Sequence, residues 1–297
     1  MRTRIFFWPM FAIALLALAS DAIVIVTHTS DHLSYKTKST LPRTLTLLQK
    51  NYLRDYPVEV IVFYTGPRIN ISFPVRWVKL EGEVWSTPPD TPPQRKQGGY
   101  TEGYRHMCQF YSFRIWRLLA NYSYIMRLDD DSFLCRRVKY NVFDIMRENN
   151  ADYGYRMLDA DSNDGNFKAL VDHTPARKPY NNFFVAKTDF FLQPAVQQTL
   201  RKFDDSRQTY THRMGDLHVH GHIICMHNAK LVRFDMCYEH ATIRGGCPVN
   251  GGIAGNTFER ANFKRRYRHC KLCQRNDVVG ARGFCVREEA PCETRTL

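Results

Sequence analysis

The sequence predicts an α/β fold in which helices flank a central, mostly parallel sheet. Three observations predict it. The β-branched run Ala22-Ile23-Val24-Ile25-Val26-Thr27 is followed by helical spacing from Leu41 to Arg54 and by a second run, Val58–Tyr64. Strand, helix and strand within about forty-five residues form a βαβ unit, which implies parallel pairing and a right-handed crossover. A further apolar strand, Tyr122–Leu128, delivers the chain directly to Asp129-Asp130-Asp131. Ligands bind outside the carboxyl ends of strands in such sheets.

The remaining elements follow from pattern and punctuation. The first run lacks alternation, so it reads as a buried strand. Leu45, Leu47, Leu48 and Leu53 supply the apolar positions of the helix that follows. Thr65-Gly66-Pro67 stops the second strand, and a third short strand is expected at Val75–Leu80. Ser86–Gly99 holds four prolines and two glycines, so it is a loop, and its length suggests a functional one. Glu102–Leu119 reads as an aromatic-rich helix and Asn141–Asn149 as a short one. Tyr153–Met157 and Asn182–Ala186 are strand candidates. One helix is expected from Thr188 to Phe203, with Thr188 as its cap. Another covers Gly215–Asn228, before a strand at Lys230–Asp235. Three regions result: a leader at 1–20, one α/β domain at 21–248, and a basic, Cys-rich tail at 249–297.

Composition narrows the function classes. The chain has 297 residues, 44% of them hydrophobic and 24% charged, enough to bury one sizeable core and too apolar for global disorder. The net charge of +13 suits nucleic acid, an anionic membrane surface or phosphate-bearing small ligands. The basic residues are spread along the chain and gather only near Phe263-Lys264-Arg265-Arg266, so no nucleic-acid partner is expected.

The N-terminus places the rest of the chain. Met1-Arg2-Thr3-Arg4 is a basic head, and Ile5–Ala19 runs fifteen residues without a polar side chain. That is short of the about twenty needed for a bilayer span and suits a signal peptide. A short signal anchor with Arg2 and Arg4 on the cytoplasmic side is the other reading. Both send the chain into the secretory lumen, where its nine cysteines can pair. Cys270, Cys273, Cys285 and Cys292 crowd the tail. His269-Cys270-x-x-Cys273 could open a zinc site, but disulfides are preferred in a secreted chain. Asn70-Ile71-Ser72 and Asn121-Tyr122-Ser123 are glycosylation sequons.

Three segments could carry chemistry. Two carboxylates one residue apart at a strand end repel each other unless a cation joins them. Their hard oxygens suit magnesium or manganese, which would neutralise a diphosphate leaving group. Asp216-Leu217-His218-Val219-His220-Gly221-His222 offers histidines beside an aspartate, with Asp216 and His220 at i and i+4 on one helical face. Gly98–Cys108 places glycines before a helix start, where backbone N–H groups can approach phosphate, and Arg105 adds charge. Each has a plain structural alternative: a solvated acidic turn, structural histidines, and a loop entering a core helix.

Together these pieces resemble the fungal glycolipid 2-alpha-mannosyltransferase family, the alpha-1,2-mannosyltransferases. The residues that carry the resemblance are Gly103-Tyr104-Arg105-His106-Met107-Cys108-Gln109-Phe110, Tyr124–Leu128 before the acidic triplet, Tyr140-Asn141-Val142-Phe143 and Tyr153-Gly154-Tyr155. Further on come Tyr180-Asn181-Asn182-Phe183, Gly215-Asp216 with Val219-His220, and Cys247-Pro248. Their order agrees over about Ala22–Pro248. The resemblance implies a GT-A fold and retaining transfer from GDP-mannose with Mn2+ (or Mg2+) to a glycan or glycoprotein acceptor. It also implies a type II Golgi membrane protein, or a lumenal one if the N-terminal segment is cleaved.

By position, the resemblance makes Asp129, Asp131 and His220 the metal ligands. Tyr104, Arg105, Arg127, Asp129, Asp130, Tyr180 and Asn182 fall on the nucleotide-sugar or substrate side, and Asp216 is the catalytic candidate in the acceptor region. The chain departs from the pattern at Phe184, where the family carries a glutamate proposed as nucleophile or substrate contact. Without it a covalent glycosyl intermediate loses its natural partner, while front-face retention stays open. Two other classes remain: a catalytically silent lumenal carbohydrate-binding protein on the same fold, and a metal-dependent phosphoesterase built on the acidic triplet.

Overall fold

The computed structural model describes residues 20–28, 40–92, 101–159, 170, 178–212, 214–240 and 284–285. The apolar run Ile5–Ala19, the end of the Pro-rich loop and nearly all of 249–297 lie outside the described residues. Among those described, no helix is long and apolar enough to cross a membrane.

β1 (Ser20–His28) pairs in parallel with β2 (Glu59–Thr65), and β2 with β3 (Arg76–Lys79). The β1–β2 crossover is α1 (Leu41–Leu48), which continues through a wider turn to Leu53. α2 (Glu102–Gln109) is capped by Thr101, whose side chain accepts the Tyr104 N–H. It runs on to α3 (Ile115–Leu118), and the chain then returns on β4 (Tyr122–Leu128), parallel to the other side of β1. The predicted βαβ unit and buried central strands are therefore present.

Beyond β4 the topology departs from simple parallel winding. After β5 (Ser132–Leu134), α4 (Val142–Glu148) and β6 (Tyr153–Tyr155), two short strands pair with each other, β7 (Leu158–Asp159) and β8 (Lys178–Pro179). β9 (Phe183–Lys187) is antiparallel to both β4 and β6. A run of Phe, Val and Ala reads the same in either direction, so the sequence leaves this orientation open. The helices that follow are α5 (Thr188–Leu192), α6 (Pro194–Asp205), α7 (Gln208–Thr211) and α8 (Asp216–Met226). β10 (Leu231–Phe234) pairs in parallel with β6, and β11 (Tyr238–His240) returns to β5. β12 (Phe284–Cys285), from the tail, lies antiparallel on β10. Among the described residues, the main sheet has eight strands in the order β12-β10-β6-β9-β4-β1-β2-β3.

The expected helix over Thr188–Phe203 is two helices. Pro194 lacks an N–H and forces the residue before it out of the helical region. Gln193 obeys, at φ −56° and ψ 139°. Thr188 is not the cap, since the first of the two helices starts after Lys187 without a side-chain cap.

Period-2 alternation sorts the strand residues onto two cores. Val24, Val26, Ile61, Phe63 and Phe184 face a layer that includes Trp116, Phe191, Val219 and Ile223. Ile23, Ile25, Val60, Val62 and Val185 face the layer of Leu41, Leu45, Phe143 and Met146. Both sheet faces are thus covered, as a parallel sheet requires.

Gly154 in β6 has no room for a side chain. A Cβ there would stand 2.4 Å from Phe234 Cε2 and 2.9 Å from Met146 Sδ. Gly154→Ala is therefore expected to destabilise the domain by about 1–3 kcal/mol through overpacking, read as a lower urea midpoint at unchanged slope.

Candidate functional site

The acidic turn leaves β4 at its carboxyl end. Leu128 pairs with Phe183 in β9, and the Asp129 N–H donates to the Asn182 carbonyl at 3.3 Å. Three residues later the chain enters β5, whose ladder with β11 sets Ser132 opposite His240. That register brings His240 to the acidic pair. Its Nε2 lies 2.9 Å from Asp131 Oδ1 and 3.7 Å from Asp129 Oδ2. One ligand atom from each of Asp129, Asp131 and His240 falls within 4.8 Å of the others. Burial pushes the Asp129 carboxyl above the usual carboxylate range, against the pull of Arg127 and His240. Two carboxylates and an imidazole form a mixed oxygen and nitrogen donor set of the kind that takes a divalent first-row ion.

The surroundings fit a ligand. Asn182 is 4% exposed, and among the described residues neither its Oδ1 nor its Nδ2 has a hydrogen-bond partner. Its carbonyl also accepts the Tyr238 hydroxyl at 3.0 Å, which in turn lies 2.6 Å from Ser132 Oγ. Tyr180 sets its ring edge-on to His240, with centroids 6.4 Å apart.

Arg127, the penultimate residue of β4, joins this cluster to α8. Its Nε donates to Asp129 Oδ1 at 2.8 Å and its Nη1 donates to Asp216 Oδ2. Its guanidinium carbon lies 3.6 Å from the centre of the Tyr111 ring. Burial opposes the charge, yet the two carboxylates hold the guanidinium pKa well above its ordinary value. Asp216 opens α8 behind Gly215, and the free, buried Cys108 lies close to it. Burial raises the Cys108 thiol strongly, which leaves it protonated and unreactive.

Two expected assignments are corrected by this geometry. His220 does not join Asp129 and Asp131. It is fully buried, with Nδ1 3.1 Å from the Tyr153 hydroxyl and Nε2 3.1 Å from the Tyr111 carbonyl. Rings of Trp116, Tyr153, Phe184 and Phe191 surround it, and desolvation lowers its pKa to about 4. With both nitrogens engaged, it has no lone pair for a cation. Arg105 is equally committed elsewhere. Its Nη1 donates to the carbonyls of Thr209 and Tyr210, so it ties α2 to α7. The other histidines of α8 are core residues too, with His222 Nδ1 on the His218 carbonyl.

Asp130 also turns away from the cluster. Its carboxylate accepts the Thr27 hydroxyl, at 3.0 Å. Phe184 is fully buried between Tyr111, Trp116, Tyr153 and His220. His240 is the residue that sequence reasoning passed over. It follows the last expected strand in a segment without periodicity, and only its pairing with β5 marks it.

The fold and the position of the acidic turn define a class, the GT-A glycosyltransferase fold. The protein has a TM-score of 0.62 with core-mannan synthase A from Aspergillus fumigatus, solved with Mn and GDP, at 17% identity over 84% of this chain and 85% of that one. With the Saccharomyces cerevisiae mannosyltransferase Ktr4p the TM-score is 0.57, at 15% identity over 81% of this chain and 76% of that one.

Within that class, residues 91–175 match the glycolipid 2-alpha-mannosyltransferase family. A protein of S. cerevisiae named probable mannosyltransferase KTR3 is 28% identical over 187 residues, 52% of this chain and 46% of that protein. Glycolipid 2-alpha-mannosyltransferase 1 of Candida albicans is 41% identical over 59 residues, 19% of this chain and 14% of that protein. These matches support the chain as a divergent member of that family. It spans about half the length of the curated relatives it matches over the longest stretches.

Two outcomes follow for stability. Arg127→Met leaves Asp129 and Asp216 buried without their shared partner and is expected to cost about 3–5 kcal/mol in urea unfolding. His220 is neutral in the fold down to pH about 4, against an ordinary value of 6.5. Its contribution is therefore full above pH 6.5 and is lost as the unfolded chain takes up the proton below it, amounting to about 3 kcal/mol by pH 4. The stability of the wild type should thus fall more steeply between pH 7 and 4.5 than that of His220→Phe. Parallel curves would show that the imidazole is not held neutral.

Proposed function

We propose that this protein is a metal-dependent, retaining mannosyltransferase that carries mannose from GDP-mannose to a glycan or glycoprotein acceptor. The observation that carries the proposal is the convergence of Asp129, Asp131 and His240 at the carboxyl end of β4. The relatives named above as mannosyltransferases, and the similar structure solved with Mn and GDP, support it.

Asp129, Asp131 and His240 would hold the ion. Once bound, Mn2+ or Mg2+ supplies positive charge that stabilises a diphosphate as it leaves. The chain's own residues do the rest. Arg127 holds Asp129 in place through Nε and draws Asp216 to the same guanidinium. Asp216, at the first turn of α8, is held by that guanidinium and is suited to orient an acceptor hydroxyl. Asn182 offers a buried amide with both ends open to a sugar or phosphate oxygen. Tyr180 lies beside His240 as a wall for the donor.

Phe184 supplies no carboxylate, so we propose transfer on the front face of the sugar, without an enzyme-bound glycosyl intermediate. The same residue favours a second reading, a lumenal glycan-binding protein without turnover. Disulfide bonding at Cys135 and Cys225, and exposed asparagines in both sequons, suit residence in the secretory pathway. We propose the Golgi membrane, with the Ile5–Ala19 run as anchor, or the lumen if that run is cleaved.

A screen of nucleotide sugars with and without Mn2+ tests the function. GDP-mannose with Mn2+ is expected to raise the melting temperature and to support transfer. No shift with any nucleotide sugar sinks the proposal, and glycan binding without donor binding favours the second reading. Asp131→Ala is expected to reduce transfer at least about a hundredfold while the fold persists, since it removes one of the three ligands.

A further inference from the structure

We propose that Asp130, with Thr27, Thr40 and Thr44, forms a clamp that positions Asp131 for the cation. This rests on the cation reading given above. Asp130 lies between the two acidic ligands but takes no part in their cluster. Its side chain reaches back to the end of β1, where Oδ2 accepts the Thr27 hydroxyl at 3.0 Å. Its main-chain carbonyl accepts two more hydroxyls, from Thr40 at 2.8 Å and from Thr44 at 2.7 Å.

The threonines give up their usual partners to do this. Thr40 is the cap residue of α1, yet its side chain makes no cap hydrogen bond to that helix. A threonine inside a helix ordinarily donates to the carbonyl four residues back. Thr46 does so to Pro42, and Thr199 to Ala195. Thr44, one turn into α1 and 1% exposed, donates to Asp130 instead.

A carbonyl oxygen has two lone pairs, and here two hydroxyls fill them. That carbonyl belongs to the peptide plane joining Asp130 to Asp131. Holding it fixes the direction in which the Asp131 side chain leaves the backbone, and so the 2.9 Å approach of its carboxylate to His240. Thr27 holds the same residue through its side chain. The acidic turn is thus anchored to the first strand and the first helix of the fold, independently of the β5–β11 ladder that delivers His240.

The test is Mn2+ affinity, read from the loss of the free-ion EPR signal on the full chain, with far-UV circular dichroism to confirm folding. The pair Thr40→Val and Thr44→Val keeps the shape and removes both hydroxyls. It is expected to weaken Mn2+ binding at least about tenfold, the usual effect of losing the groups that orient metal ligands. Thr40→Ser with Thr44→Ser should restore binding to within about threefold of wild type, because the hydroxyls return. If the double valine variant fails to fold, Thr40→Val alone, at the more exposed of the two sites, should still weaken binding by about threefold or more. Folded valine variants that bind Mn2+ like wild type overturn the clamp, as does a serine variant as weak as the valine one. A wild type that binds no Mn2+ overturns the cation reading itself.

Discussion

The guanidinium of Arg127 is the interaction on which the site depends. It is buried at the end of the central strand, over the Tyr111 ring, with Asp129 on its Nε and Asp216 on its Nη1. A buried charge of this kind is tolerated only because both carboxylates and the ring compensate it. The same contacts reduce the freedom of those carboxylates. Asp129 is held at the mouth of β4, and the first turn of α8 is drawn to the sheet. The acidic turn and the first turn of α8 are therefore joined by one side chain. A change at either carboxylate is felt at the other.

Around this polar bridge the core has closed in an unusual way. Phe184 stands across from Arg127 in the β4–β9 ladder, and its ring packs on Trp116, Tyr153 and His220. An acidic side chain at that place would put a third carboxylate beside Arg127, and the aromatic layer would have to open for it. The phenyl ring instead extends the core up to the base of the site. His220 completes this layer, using both nitrogens to satisfy Tyr153 and Tyr111. Its lowered pKa is a consequence of packing, with no part in metal binding.

The strands around the βαβ unit were legible because buried parallel strands have an undiluted signature: β-branched runs closed by turn residues. The long helix from Thr188 was misread because its apolar periodicity passes across Pro194, and the pattern outweighed the breaker. The direction of β9 was not legible, since Phe183–Ala186 carries no marker of polarity. In the site, Asp129 and Asp131 were readable from their place after a strand. His220 drew attention as one of three alternating histidines in a segment that proves to be a core helix, buried on all sides. His240 sits alone in the chain and passed unnoticed.

By itself the sequence determined the strands of the main sheet other than β12, where the acidic turn falls, and that its carboxylates suit a cation. Those are local matters: residue type, period and neighbours along the chain. Only the tertiary structure decided which histidine meets the aspartates, because that choice is made by register between β5 and β11, about a hundred residues apart in sequence. It also decided that Arg127 serves two carboxylates, and that Asp130 looks back to three threonines. Each depends on which distant backbone passes within hydrogen-bond reach. That distance is set by packing of the whole sheet and is written at no single position.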